Sequence, residues 1–525
     1  MSRAQVALEM LVLVGLFFVY AGDAPPMVNE AHYLVKAKNF WQPEWCANDL
    51  FAASGKAHVL FYSTFGYLTQ WVSLSTSAWI GRVIGWTLIA AGLSCLCRVF
   101  SRESGLPHSL MYTWAVAIGW IAGIEYGNLA GEWVIGGIEA KVPAYGFVLF
   151  GIADLIQRRW NRVWVWFGAA AGFHVLTGGW SVVAAMVAWW ITERNQPANI
   201  RCPLVTRWLV LGGVLSLPGV IPAVQLSMGA DPQDSAAAAS VYSYFRISHH
   251  LMPAAFDFWW YLRHACLLFL LFALALTATK DTPAKRRLMA WTIGVIAIAA
   301  VGMLVGFLPP VAPDLAAKLL RYYWFRVSDA IVPLSVSLLA FQTAYQPGKF
   351  RRLAFAGFAV AVILVTYSSI ARMRTGVPPS VNERLLGRVL HTDLDRQRIA
   401  YRDWLRVCQW AKASTPEDEV FLTPRHQQTF KWYAHRAEVV NWKDVPQDAA
   451  SLLEWKRRFL EVYPPEWGTV RVSINYRILR DFRDRYGVRF LIVDRKVVGD
   501  NLPLIRVYPR TSTDNENYAV YEMPR

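Results

Sequence analysis

In the stretch Asp23-Ala-Pro-Pro-Met-Val-Asn-Glu-Ala-His-Tyr-Leu-Val-Lys-Ala-Lys38, two carboxylates (Asp23, Glu30), a histidine (His32) and two lysines (Lys36, Lys38) crowd together. Carboxylates so placed can take a proton from a hydroxyl or orient it, and lysines can hold an anion. The stretch directly follows an apolar run over residues 6–21. Charge kept that close to hydrocarbon is costly, so the segment is either an interface anchor or the floor of a polar site.

More ionisable residues recur along the chain. Asp49 and His58 follow in the same loop, Glu125, Glu132, Glu139 and Lys141 lie in a second, and His174 stands near Gly178-Gly179-Trp180. Arg246, His249 and His250 form a third group, and Arg321, Arg326 and Asp329 a fourth. Each has a plainer reading. Asp23 and Glu30 can be solvated loop carboxylates, and Lys36 and Lys38 can snorkel to headgroups. Glu132 and Glu139 share a helical face and can form an internal salt bridge with Lys141. His174 can be a packed interface histidine. His249 and His250 are adjacent, which is not the spacing that puts two metal ligands on one helix face. Arg321, Arg326 and Asp329 can pair at the interface, although the planar guanidinium fork also suits a phosphate. No Ser or Cys sits in a nucleophile elbow. No ligand motif marks a divalent metal, so the cofactor is left open.

The elements that must position these groups are read from composition. The 525 residues have a mean hydropathy of +0.27 and 17% charged residues, against about a quarter in soluble domains. The net charge of +16 gathers in short loops between apolar runs, where the positive-inside rule explains it, and no phosphate loop or aromatic–basic repeat supports a nucleic-acid partner. The 25 tryptophans suit membrane–water interfaces. Apolar runs over 6–21, 77–96, 108–124, 143–157, 163–176, 179–192, 205–224, 257–277, 289–308, 328–346 and 353–370 predict about eleven transmembrane helices. Residues 58–73 read as a helix lying at the interface. Residues 163–192 are too few for two full crossings at about 20 residues each, which predicts two short helices meeting at Gly172-Phe-His-Val-Leu-Thr-Gly-Gly-Trp180.

The connections at 158–162, 193–207, 280–287 and 349–352 are short and basic, hence cytoplasmic. Those at 22–57, 125–142, 225–256 and 309–327 are longer and hold most of the acidic residues and histidines. The N terminus is then cytoplasmic, the C-terminal tail is outside, and every candidate group named above collects on the outer face. From residue 372 the charges become mixed and the apolar runs shorten. Helical stretches at 381–413, 446–462 and 474–486 alternate with strand-like runs at 420–423, 438–442, 488–494 and 518–521. This predicts a small, partly parallel sheet. The fold class is therefore mainly α, a polytopic membrane protein (residues 1–371) with a C-terminal α/β extracytoplasmic domain (372–525).

This layout resembles the GT-C glycosyltransferases. The resemblance rests on a first span followed by an acidic juxtamembrane helix (Asn29-Glu30-Ala-His-Tyr33), a second amphipathic helix (His58-Val-Leu-Phe-Tyr-Ser-Thr-Phe-Gly-Tyr67), many further spans and an exported tail. Trp45-Cys-Ala-Asn-Asp49 and Gln428-Thr-Phe-Lys-Trp-Tyr-Ala-His-Arg-Ala-Glu-Val-Val-Asn-Trp-Lys-Asp444 are similar to stretches in a group of bacterial membrane proteins. The resemblance implies a bacterial inner-membrane enzyme that moves a sugar from a polyprenyl-phosphate-linked donor to a glycan, lipid or protein acceptor at the outer face. By position it assigns Glu30, with Asp23, Glu132 or Glu139, to catalysis. For the cationic groups that hold the lipid phosphate it offers Lys36, Lys38, Arg321 and Arg326, while His32, Asp49, His58, Lys141, His174, Arg246, His249, His250 and Asp329 are substrate-contact candidates from their place on the outer face. Asn29 departs from the pattern, since many relatives are acidic there and an amide does not accept a proton near neutral pH. That departure keeps open an inactive relative that binds lipid-linked glycan. A transporter or lipid-handling protein is the reading from another class.

Overall fold

A computed structural model of the protein describes residues 3–27, 29–277, 281–378, 393–425, 427–463, 476–499, 502–511 and 514–524. In chain order the helices begin with α1 (Arg3–Ala21), α2 (Glu30–Trp41), α3 (Leu50–Ala53), α4 (Val59–Ser63), α5 (Leu74–Glu103) and α6 (Leu110–Gly127). They continue with α7 (Lys141–Ile156), α8 (Trp160–Phe173), α9 (Val175–Glu193), α10 (Arg207–Gln225), α11 (Pro232–Ser240), α12 (Ser248–Leu251) and α13 (Phe258–Thr277). The bundle closes with α14 (Pro283–Val305), α15 (Pro313–Leu320), α16 (Arg326–Tyr345) and α17 (Arg351–Thr375).

Among the described residues, eight helices are long and apolar enough to cross a membrane: α1, α5, α9, α10, α13, α14, α16 and α17. Helices α6, α7 and α8 fall on three further expected spans, with 18, 16 and 14 residues. The protein is therefore a multi-pass, mainly helical membrane protein. Helix α16 lies at its centre: 94% of its apolar window is buried, against 17% for α10 and α13. A helix apolar all round goes to the middle of a bundle, and α16 brings Arg326 and Asp329 there at its start. Helix α5 packs against α7 and the loop before it through small residues. A Cβ on Gly81 would stand 2.9 Å from Ile138, and one on Gly85 would stand 2.8 Å from Val142.

The short pair expected at 163–192 is α8 and α9, separated by His174 alone in an extended conformation. The expected interface helix over 58–73 is instead α4 followed by a 3₁₀ turn, Phe65–Gln70. The break lets Gly66 press onto α2, so closely that a Cβ there would lie 2.5 Å from Ala37.

The C-terminal region holds α18 (Leu394–Ser414), α19 (Phe430–Ala434), α20 (Ala449–Val462), α21 (Tyr476–Tyr486) and α22 (Arg495–Val498) around one sheet. The expected helical stretches at 381–413 and 474–486 fall partly on residues 381–392 and 474–475, which lie outside the described residues. The strands are β1 (Val420–Leu422), β2 (Ala437–Glu438), β3 (Val488–Asp494), β4 (Arg506–Tyr508) and β5 (Tyr518–Glu522), in the order β2-β1-β3-β5-β4. β1 runs parallel to β2 and β3, and β5 runs antiparallel to β3 and β4. The sheet is partly parallel, as the alternation of elements predicts. Strand β4, only three residues at the sheet edge, carries too short an alternation to be legible. Trp404, Val407 and Ala411 of α18 cover one face of the sheet against Phe421 and Phe490, while Leu452, Trp455 and Phe459 of α20 cover the other against Leu422 and Val488.

Candidate functional site

A cavity of about 180 Å³ opens where five separate parts of the chain meet. Asn29, His32 and Tyr33 of α2 form one wall, and Ala130–Trp133 with Glu139 and Lys141 form another. Tyr242, Arg246, His249 and His250 close a third side, Tyr323 and Arg326 lie beneath, and Lys443, Val445 and Gln447 come from the C-terminal region.

The loop between α6 and α7 is shaped from below. Asp329 of α16 accepts the backbone N–H groups of Leu129 (2.7 Å), Ala130 (2.8 Å) and Glu132 (3.3 Å). Gly131 takes φ +76° and leaves room for His250, whose ring a Cβ would meet at 2.9 Å. Only glycine suits both demands. Trp86 donates to the Gly136 carbonyl at 2.9 Å and holds the far end of the loop. Glu132 and Glu139 are thereby presented to the cavity.

Their charges are balanced locally. Lys141 Nζ lies 3.0 Å from Glu132 and 2.9 Å from Glu139, with the Trp133 ring 4.0 Å from the ammonium. Arg326 reaches Glu132 at 3.2 Å, and Asn29 Nδ2 donates to Glu139 Oε2 at 2.8 Å. Two carboxylates thus face two cations. Arg246 and Lys443 then stand in excess: among the described residues neither has a carboxylate partner. Arg246 is buried, donates Nε to the Trp442 carbonyl at 2.8 Å and stacks on the Trp442 ring. Burial pulls its guanidinium down to about 10. Burial and the neighbouring Arg246 pull Lys443 down to about 8. A half-dry cavity with about two uncompensated positive charges is a site for an anion. His249 and His250 are pushed by burial to about 4 and about 3, so they are neutral hydrogen-bonding groups near pH 7.

Glu30 is not among the lining residues. Consecutive helical residues point about 100° apart, and Asn29 takes the cavity side while Glu30 turns inward. Arg82 of α5 grips Glu30 with Nε to Oε1 at 2.6 Å and Nη2 to Oε2 at 2.5 Å. The backbone N–H groups of Ile138 and Met27 fill the remaining acceptor positions at 2.8 and 2.7 Å. Gly137 comes so close that a Cβ would lie 2.8 Å from the carboxylate. With its acceptor positions taken by four donors, the Glu30 carboxylate stands outside the cavity lining.

Other residues expected from the sequence also stand outside the cavity lining. Asp23 stands behind the cavity beside Arg372 and Arg82, and burial raises its carboxyl despite them. Lys36 spends its ammonium on Ser54 O (3.2 Å), Ser54 Oγ (2.8 Å) and Gly55 O (2.6 Å), leaving nothing for a phosphate. Lys38 lies over the Trp45 ring at 5.4 Å, and Arg321 over the Tyr242 ring at 5.3 Å; neither lines the cavity. Asp329 acts through the loop it holds. His58 and His174 form a layer behind the wall. Their rings stack at 5.4 Å, with Tyr33 Oη 3.3 Å from His58 and Arg326 Nη1 2.7 Å from His174.

Asp49 belongs to a second cluster, where the first loop meets the C-terminal region. Lys431 of α19 is buried among Glu438 (2.6 Å), Asp444 (2.7 Å) and Asp49 (3.2 Å). Burial alone would lower the Lys431 ammonium, and the three carboxylates overcome it and raise it. Asp444 also lies 3.8 Å from His32 Nδ1. The cluster therefore fixes the segment that carries Lys443 into the cavity. Among the described residues, no three His, Cys, Asp or Glu side chains form a metal-holding group.

Sequence reasoning missed Arg82, Tyr33, Trp133, Tyr242, Tyr323, Lys443 and Gln447. Arg82 is the one charge within the apolar run 77–96, which is itself a signal of a buried partner. Lys443 lies inside the Gln428–Asp444 stretch already singled out.

Residues 402–462 match a family described as a domain of unknown function, DUF6798. That segment contains Lys431, Glu438, Lys443 and Asp444. No curated protein matches the chain. Among solved structures, the chain is similar to the Archaeoglobus fulgidus oligosaccharyltransferase tethered to an acceptor peptide containing an NVT sequon, at 10% identity and a TM-score of 0.46 over 94% of this chain and 70% of that one. It is also similar to ArnT from Cupriavidus metallidurans in the apo state, at 14% identity and a TM-score of 0.43 over 99% of this chain and 98% of that one.

Proposed function

We propose that this protein is a GT-C-like membrane glycosyltransferase. It moves a sugar from a polyprenyl-phosphate-linked donor to an acceptor hydroxyl at the outer face of a bacterial inner membrane. The observation that carries this reading is one cavity lined both by Glu132 and Glu139 and by two cations, Arg246 and Lys443, that have no carboxylate partner among the described residues. Displacement at an anomeric carbon forms a bond from the acceptor oxygen, breaks the bond to the phosphate oxygen and releases one proton from the acceptor. A carboxylate must take that proton, and positive charge must meet the leaving phosphate.

Glu139 is the carboxylate we assign to the proton. It shares Lys141 and is otherwise held by the neutral amide of Asn29, whereas Glu132 carries both Lys141 and Arg326. Arg246 and Lys443 take the donor phosphate, while the prenyl chain stays in hydrocarbon. Division of the chain at residues 371 and 372, with the α/β unit outside the membrane, belongs to the same proposal. The reading as a non-catalytic glycan binder rests on Asn29 standing where a second acid would. The two are separated by Glu139→Gln in reconstituted vesicles supplied with a polyprenyl-phosphate-linked sugar. At least a 100-fold loss of transfer with donor binding intact supports the enzyme. No transfer by wild type across a donor panel, with binding retained, supports the binder.

A further inference from the structure

A second cavity, of about 700 Å³, lies at the other end of α8. The two sites are separated by the length of that helix, about 20 Å for 14 residues. Its C-terminal cap, His174, meets Arg326 of the candidate site, and its N-terminus opens on the second cavity. Arg158, Arg159, Arg162 and Arg207 line that cavity together with Trp160 and Trp208.

The charge count is unbalanced. Arg158 is clamped by Glu193 at 2.8 and 2.5 Å, and Arg159 lies 3.6 Å from Asp154. Arg162 and Arg207 have no carboxylate partner among the described residues. Two helices also begin here, α8 after Arg159 and α10 after Thr206, and neither first turn is capped by a side chain. Their positive dipole ends add to the two free guanidinium groups. The Thr206 hydroxyl, in the same wall, is buried and makes no hydrogen bond among the described residues. Beside the cavity, α10 turns an apolar flank outward, with Val210, Val214 and Ile221 about half exposed or more. Such a flank can carry acyl chains.

We infer that this cavity binds the phosphate-bearing headgroup of an anionic phospholipid, with its acyl chains along α10. The free guanidinium groups and two helix N-termini hold the phosphate, the Thr206 hydroxyl donates to it, and Trp160 and Trp208 flank the glycerol. A soluble phosphate shares the headgroup chemistry but leaves the α10 flank unused. The site is independent of the sugar-transfer reading.

The test uses full-length protein in phosphatidylcholine nanodiscs, doped with phosphatidylglycerol or exposed to soluble glycerophosphate. Retained lipid is counted by native mass spectrometry, and thermal unfolding is followed alongside. Arg162 and Arg207 are exposed, so Arg162→Ala/Arg207→Ala leaves the fold intact, and Arg351→Ala/Arg352→Ala is an equally exposed control. Expected is one tightly retained phosphatidylglycerol per chain, held about 30-fold more weakly by the first variant and unchanged in the control. Equal retention by both variants overturns the inference. So does glycerophosphate stabilising the protein as well as the lipid does.

Discussion

The pairing of Glu30 with Arg82 makes a prediction that separates a structural carboxylate from a catalytic one. Arg82→Met removes both guanidinium contacts, at 2.6 and 2.5 Å, and leaves a buried anion held by two backbone N–H groups. Breaking a buried pair from one side costs about 3–5 kcal/mol. Glu30→Gln keeps the shape but turns an amide NH₂ toward groups that all donate, which costs about 2–3 kcal/mol for the charge-assisted bonds lost. Thermal unfolding in detergent should fall on the order of 3–5 °C for Arg82→Met and less for Glu30→Gln. The double variant should lose less than the sum of the singles, because each removes the same interaction. Transfer per folded molecule, measured below the lowered transition, should remain within a few-fold of wild type for Glu30→Gln. A Glu30→Gln protein with an unchanged transition and no transfer would refute the reasoning and return Glu30 to the chemistry.

The other predictions concern the cavity and its supports. Lys431→Met leaves Glu438, Asp444 and Asp49 facing one another in a buried space and should destabilise the protein by about 3–5 kcal/mol, read as early protease release of the C-terminal region. Gly137→Ala should cost about 1–3 kcal/mol in thermal unfolding, since its methyl would stand 2.8 Å from the Glu30 carboxylate. Lys443, held down to about 8 from an ordinary 10.5, should make donor KM rise as pH passes about 8, and Lys443→Arg should flatten that profile. Stability moves the opposite way in this window. Between about 8 and 10.5 the unfolded lysine binds a proton that the folded one does not, so this group's contribution to folding rises with pH.

The bundle was legible because hydrocarbon imposes length: helices recur on all eleven expected runs, and the break at His174 follows from 30 residues being too few for two crossings. Strands β1, β3 and β5 were legible from apolar runs, and the three-residue β4 was not. Of the residues singled out from the sequence, Glu132, Glu139, Lys141, Arg246 and Arg326 come together in the lining of one cavity. Direction along a helix was the harder matter. Asn29 and Glu30 are neighbours in sequence, yet one faces the cavity and the other a buried arginine. That choice depends on Arg82 and on the backbone of Gly137, both far away in the chain. Lys36 shows the same limit, since its three acceptors come from a loop tip that sequence spacing does not orient.

The central claim is that a phosphate carried on a prenyl chain rests between Arg246 and Lys443, with Glu139 facing the carbon it would leave. The most direct measurement is a high-resolution density map of the full-length protein in nanodiscs with polyprenyl monophosphate. The account predicts phosphate density within hydrogen-bond reach of both cations and the prenyl chain leading into the membrane. Density against Lys38 or Arg321 instead, with the cavity holding only water, would contradict it.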